Sequence, residues 1–252
     1  VLPFYLLSFL PFSVSAEDGH QLWLRYQPVN KAKVTGPECI AAQELRTYSC
    51  QDVVLTLDAA MEDDAYRISD GVITAKDEIG LLYGAYELLR RQGRSLDCAR
   101  DDKGGTRDDK GGARDDIFSK PFYKLRILNH WDNLNGTIER GYAGLSIFWK
   151  GKDSGKSFHG HPVFVEDPDQ PINAELIKEY ARANASIGIN GTVLNNVNAS
   201  PKMLSAVYIN KVKQYADILR PYGIKVYLSV NFASPMSIPA KGFNGGKPVK
   251  TA

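Results

Sequence analysis

Apolar and polar positions along the chain follow two periods, and the switches between them mark out its elements. Residues 22–26 (LWLRY) alternate with a period of two, as a half-buried strand does. Residues 37–48 instead repeat their apolar positions at helical spacing. The run VVLTL at 53–57 predicts a second strand, and 65–69 with 72–75, joined at Asp70-Gly71, predicts a hairpin. Residues 80–91 (GLLYGAYELLRR) predict an amphipathic helix. Its last turn is basic, which suits the helix dipole, and Gly93 beyond it is a stop signal. Residues 17–96 therefore read as a small α/β domain.

Residues 97–118 carry neither period. RDDKGGT recurs there as RDDKGGA and begins a third time at Arg114. The repeat holds no large apolar side chain, which excludes a coiled coil and leaves nothing to offset its ordering entropy. It reads as a disordered insert. From 119 to 252 a third regime alternates strand (123–129), helix (172–187), strand (192–195), helix (200–222) and strand (224–230). Leu176, Ile177, Tyr180, Ala181 and Ala185 mark the apolar face of the first helix, and Ser200-Pro201 opens the second as cap and first turn. Strands and helices in this order, with short connections, are the signature of parallel βαβ units. An open, doubly wound sheet usually carries a glycine-rich phosphate loop after its first strand, whereas this chain reads HWDNLNG there. The expected fold class is α/β, with the small α/β domain followed by an incomplete (β/α)8 TIM barrel of about three strands. A full barrel takes roughly 250 residues, and 133 follow Ser119.

Composition narrows the function classes. The 31 basic residues nearly balance the 29 acidic ones. A nucleic-acid binder would show a strong basic face, so that class is disfavoured. Residues 1–16 (VLPFYLLSFLPFSVSA) are apolar, too short to span a bilayer comfortably, interrupted by Pro3 and Pro11, and end in small side chains before Glu17-Asp18. A signal peptide is expected, with export to the periplasm or the medium and no membrane association after cleavage; a buried N-terminal strand is the alternative. Cys39, Cys50 and Cys98 lack metal-like spacing, and either a Cys39–Cys50 bridge or unpaired buried thiols fits them.

Ligands of parallel α/β folds bind at the carboxyl ends of the strands. The first predicted end carries His130, Trp131, Asp132 and Asn133, with Glu139 and Arg140 close behind. The second carries Asn195, Asn196 and Asn198, and the third Asn231 to Pro235. Sugars present C–H faces that stack on aromatic rings and hydroxyls that seek planar partners, which a tryptophan among Asn, Asp and His supplies. Taken singly, Trp131 fits a core aromatic equally well, and the asparagines fit turn chemistry after a strand. His159-Gly160-His161 has no third ligand nearby, so no metal or cofactor is expected.

The segment Leu125 to Gly144 (LRILNHWDNLNGTIERGYAG), followed by SIFW at 146–149, resembles the first barrel strand and loop of family 67 glycoside hydrolases, the α-glucuronidases. Residues 180–182 and 186–198 resemble the next helix and strand, and 65–89 resemble the accessory domain that precedes the barrel. The resemblance implies removal of glucuronic or 4-O-methylglucuronic acid, α-1,2-linked to xylose in glucuronoxylan-derived oligosaccharides, with inversion. It matches Trp131 to a sugar-stacking tryptophan, and Glu139 and Arg140 to a positioning loop. It puts the catalytic carboxylates on later strands, so none is assigned here and the chain alone is expected to be inactive. Leu145 stands where the family usually has Arg, a change expected to loosen that loop. A homodimer is left open for the full-length form. The rival readings are a non-catalytic carbohydrate-binding protein and a hexosaminidase-like glycosidase that shares only the accessory domain.

Overall fold

The computed structural model describes residues 28–94, 116–157 and 162–231 of the 252. The apolar segment 1–16, the strand expected at 22–26, nearly all of the repeat insert, the His159–His161 pair and residues 232–252 lie outside the described residues. The rest is a mixed α/β structure with three sheets. The first sheet comprises β1 (Val34–Thr35), β2 (Val53–Leu57), β3 (Tyr66–Ser69), β4 (Val72–Ala75) and β5 (Ile117–Ser119), in the order β1-β2-β4-β3-β5. Helices α1 (Ile40–Tyr48) and α2 (Glu78–Arg94) pack together against it. β3 and β4 form the expected hairpin, with Asp70 and Gly71 both at positive φ, as a tight turn between twisted strands requires. Helix α2 starts two residues before the expected Gly80. The Asp77 carboxylate accepts the backbone N–H groups of Ile79 (3.0 Å) and Gly80 (2.9 Å) and so caps that end. Gly80 and Gly84, one turn apart, let the helix lie directly on the sheet: a Cβ at Gly84 would stand 2.6 Å from the Ile73 side chain.

The second sheet has three parallel strands, β6 (Ile127–Asn129), β9 (Gly191–Val193) and β10 (Lys225–Tyr227), in the order β6-β9-β10 with no reversal. Helix α3 (Ala174–Ser186) connects β6 to β9, and α4 (Ala206–Leu219) connects β9 to β10. The expected helix 200–222 is split. Pro201–Leu204 and Arg220–Tyr222 are 3-10 turns, and Ser205 between the first turn and α4 is extended. Only three residues of the expected strand 123–129 enter the sheet; just before them the Arg126 side chain reaches Asp64 (2.8 Å) in the first unit.

Two features had no signal in the hydrophobic pattern. β5 adds a fifth strand to the first sheet, antiparallel to β3. β7 (Gly151–Lys156) and β8 (Pro162–Glu166) form a separate hairpin. β7 reads GKDSGK, a segment without apolar alternation that pairs through its backbone and through the Ser154 hydroxyl, which donates to the Val163 carbonyl at 3.1 Å. The cysteine expectation is corrected: Cys39 is free and buried, whereas Cys50 is disulfide-bonded, so these two do not bridge. Among the described residues no helix is long and apolar enough to cross a membrane.

The buried side chains form one continuous cluster, from Leu45, Leu81 and Tyr86 through to Ile177, Tyr215, Leu219 and Ile224. Three arginines fasten the two units around it. Arg182 on α3 holds Glu44 on α1 in a forked pair (2.7–2.9 Å) and lies 4.4 Å over the Tyr48 ring. Arg126 reaches Asp64, and Arg90 donates to the Ser186 carbonyl. Glu44 is 8% exposed, so this carboxylate depends on its arginine.

Candidate functional site

Beyond the last ladder residue of β6 the chain stays extended, and His130 N–H donates to the Val193 carbonyl at 3.1 Å. Side chains along an extended backbone alternate in direction. The Asp132 side chain goes inward, 2% exposed, and that of His130 is three-quarters buried. Trp131 between them points out, 47% exposed. Trp149, 2% exposed, is instead the core tryptophan, and its indole N–H donates to the Leu194 carbonyl at 2.7 Å.

The inward groups form a hydrogen-bonded network whose directions follow from its partners. Ser146 Oγ accepts the backbone N–H groups of Phe148 (3.0 Å) and Trp149 (2.9 Å). With both lone pairs used, its own hydrogen goes to Asp132 Oδ2. On the other side His130 Nε2 meets the Tyr180 hydroxyl at 2.8 Å, and that hydroxyl meets Thr192 Oγ1 at 2.9 Å. His130 Nδ1 lies 3.9 Å from Asp132 Oδ1. A bare Nδ1 lone pair facing a carboxylate would be repelled, which assigns the proton to Nδ1. The chain of donation then runs from Thr192 to Tyr180 to His130. Burial holds the His130 imidazole below its ordinary range, against the pull of Asp132. Burial raises the Asp132 carboxyl, against the Ser146 hydrogen bond and His130. Burial also pushes Tyr180 up to about 12.

The remaining candidate residues divide by burial. Asn133 donates to Thr137 Oγ1 (3.1 Å) and to the Glu139 carbonyl (2.6 Å), closing the turn in which Gly136 sits at positive φ. Asn195, 1% exposed, donates to the Ser229 carbonyl (2.8 Å) and accepts its N–H (3.0 Å), tying the end of β9 to the end of β10. Asn196 accepts the Asn198 N–H at 2.9 Å, while its own N–H donates to the Asp132 carbonyl at 2.8 Å, which joins the first loop to the second. Asn195 and Asn196 therefore do local structural work. Asn198 and Arg140 are exposed, and Glu139 is half-buried and accepts the Tyr142 hydroxyl at 2.9 Å. Leu145 is 65% exposed, yet its loop is anchored next door, where Ser146 N–H donates to the Gly136 carbonyl at 2.8 Å.

An open cleft of about 460 Å³ lies at this end of the strands, lined by Asn133, Asn135, Phe164, Glu166, Asn198 and Lys202. A larger one, about 1490 Å³, lies at the opposite end, beside the strand starts at Arg126, Asn190 and Lys225. Size favours the second, but parallel sheets place their chemistry at the carboxyl ends, which favours the first. Among the described residues no three His, Cys, Asp or Glu side chains gather to hold a metal.

The sequence profile of the glycosyl hydrolase family 67 middle domain matches residues 108–249, more than half of the chain. The chain belongs to glycosyl hydrolase family 67. Similar curated proteins carry the description "probable alpha-glucuronidase A". That of Aspergillus clavatus is 30% identical, covering 88% of this chain and 29% of its own length. That of Aspergillus niger is 30% identical, with 92% and 30% covered. That of Neosartorya fischeri is 36% identical, with 66% and 16% covered. The family 67 chain thus spans less than a third of these relatives. In it Tyr180, Thr192 and Ser146 are the site-side residues that sequence reasoning missed. Helical spacing places Tyr180 on an apolar face, and no local pattern shows where its hydroxyl goes.

Proposed function

We propose that this chain supplies one wall of the active site of an α-glucuronidase. The enzyme hydrolyses the α-1,2 bond between glucuronic or 4-O-methylglucuronic acid and xylose in glucuronoxylan-derived oligosaccharides. In this reading β6, β9 and β10 are the first three strands of a (β/α)8 barrel. The observation that carries it is an indole, 47% exposed, on the loop that leaves the carboxyl end of a parallel strand in a family 67 chain. Such a ring stacks on the C–H face of a sugar, and Asn198 and Arg140 at the rim offer donors to hydroxyl and carboxylate oxygens. Export is part of the proposal, since polymeric xylan lies outside cells and residues 1–16 read as a signal peptide.

Inverting hydrolysis takes one carboxylic acid to protonate the leaving oxygen and an opposing carboxylate to activate water, about 6.5–9.5 Å apart. The two acids beside Trp131 are committed elsewhere. Asp132 is buried and held by Ser146, and Glu139 accepts Tyr142. Both are assigned positioning work, and proton transfer is assigned to carboxylates on later strands. Proton NMR of the full-length enzyme acting on an aldouronic acid tests the proposal. β-Configured glucuronic acid is expected as the first product; the α anomer first, or no glucuronate at all, overturns it. Trp131→Ala should weaken substrate binding by ~1–2 kcal/mol. An unchanged Michaelis constant and turnover would remove Trp131 from the site.

A further inference from the structure

Trp131 is 47% exposed, so only part of its surface is covered by protein. Among the described residues no aromatic ring lies against the indole, whereas the adjacent His130 joins Phe148, Tyr180 and Tyr215 in a chain of edge-on and tilted ring contacts. What fixes its direction is the backbone on either side. His130 N–H bonds the Val193 carbonyl, the Trp131 carbonyl accepts the Glu139 N–H at 2.7 Å, and the Asp132 carbonyl accepts from Asn196. That backbone is held in turn by two buried side chains. His130 is pinned by Tyr180 from α3, and Asp132 by Ser146 from the far side of the loop. Because neighbouring side chains on an extended strand face opposite ways, drawing residues 130 and 132 inward forces 131 outward.

We propose that Tyr180 and Ser146 are positioning residues: through His130 and Asp132 they hold the Trp131 indole at the angle a sugar ring meets. This deepens the glycosidase reading and rests on it for the ligand, but not for the geometry. Neither hydroxyl touches substrate. Each saturates a buried group that would otherwise be left unpaired, His130 Nε2 in one case and Asp132 Oδ2 in the other. Tyr180→Phe keeps the ring that packs against Phe148 and removes the hydroxyl that donates to His130 and accepts from Thr192. Ser146→Ala removes the clasp on Asp132 together with the acceptor for Phe148 and Trp149 N–H.

The test uses the full 252-residue chain with 5-fluorotryptophan in place of tryptophan, with its fluorine resonances assigned by Trp131→Phe and Trp149→Phe. In Tyr180→Phe and Ser146→Ala the Trp131 line is expected to broaden or split while the Trp149 line in Tyr180→Phe keeps its position. Ser146→Thr, which retains the hydroxyl, restores a single Trp131 line. In the full-length enzyme the same two variants should raise the Michaelis constant for an aldouronic acid about tenfold, with a smaller change in turnover. An unmoved Trp131 line in a folded variant overturns the proposal. So does equal disturbance of both tryptophans in Tyr180→Phe, which would mean general loosening. If Tyr180→Phe fails to fold, the pair Ser146→Ala and Ser146→Thr decides by the same criterion. Should the fluorine pattern hold while the wild type releases no glucuronate, the positioning stands and the glycosidase reading falls.

Discussion

The two larger sheets of this protein, with their helices, treat buried polarity in opposite ways. Of the nine buried polar residues described, the first unit holds two, Glu44 and Ser49, and the second holds seven: Asp132, Ser146, Asn184, Ser186, Thr192, Asn195 and Asn196. The first sheet is an apolar scaffold closed by α1 and α2, and its main buried charge, Glu44, serves to dock the second unit. The second sheet ends in hydroxyls, amides and a carboxylate that satisfy one another. A buried polar group costs stability unless it is paired. Asn184 and Ser186 bond carbonyls of their own helix, whereas Asp132, Ser146, Asn195 and Asn196 gather beyond the strand ends, where geometry has been held for something other than stability. The scaffold is built to be packed against, and the parallel unit is built to hold directions.

The junction is where this contrast can be broken most severely. Arg182→Ala leaves Glu44 buried without its partner, and a loss of about 3–5 kcal/mol in denaturant-unfolding stability is expected. Replacing both, with Glu44→Leu and Arg182→Met, should recover most of that loss. If the single variant costs under ~1 kcal/mol, the pair behaves as a surface bridge and the units are not fastened there. A smaller effect belongs to the scaffold alone. Gly84→Ala would put a methyl group 2.6 Å from the Ile73 side chain, and overpacking of this kind costs about 1–3 kcal/mol. Its sugar affinity, measured on the folded fraction, should stay at the wild-type value; a fall would mean the first sheet has a direct part in binding.

The mildest test is pH, and it acts on the parallel unit. Burial depresses the folded His130 pKa below its ordinary 6.5. Both states are neutral well above that value. As pH falls through it the unfolded chain takes up the proton first, so stability is lost from about pH 6.5 downward. Asp132 works the other way: its raised pKa weakens the fold at neutral pH, and that penalty is relieved as pH falls through the folded value. The titratable groups facing His130 are Asp132 and Tyr180. An NMR titration of the His130 ring should show a midpoint below 6.5. A midpoint at 6.5 would mean the imidazole is solvated and the network is open, and one above it would mean the pull of Asp132 outweighs burial.

Some of this was legible in the chain before any coordinates. The hairpin at Asp70-Gly71 follows from residues that tolerate positive φ, and α2 and α3 from apolar positions at helical spacing. The HWDN segment identified the loop that leaves β6 but not which of its side chains would face solvent. Asn195 and Asn196 were grouped with Asn198 as site residues, yet the first two spend their amides on Ser229 and on the Asn198 backbone. β7 carried no signal, since a strand that buries nothing leaves no period to read.

By itself the sequence determined the main helices, the strand and hairpin of the first sheet's centre, the parallel βαβ character of the second half and the family. These depend on local spacing, turn residues and short motifs, which are encoded within a few positions of one another. Only the tertiary structure decided that Glu44 would meet Arg182, 138 residues away, or that Tyr180 would reach His130 across 50. It also decided that Trp131, not Trp149, would be the exposed indole. The physical reason is that a buried polar atom must find a partner wherever the fold supplies one, and periodicity carries no record of partners that distant.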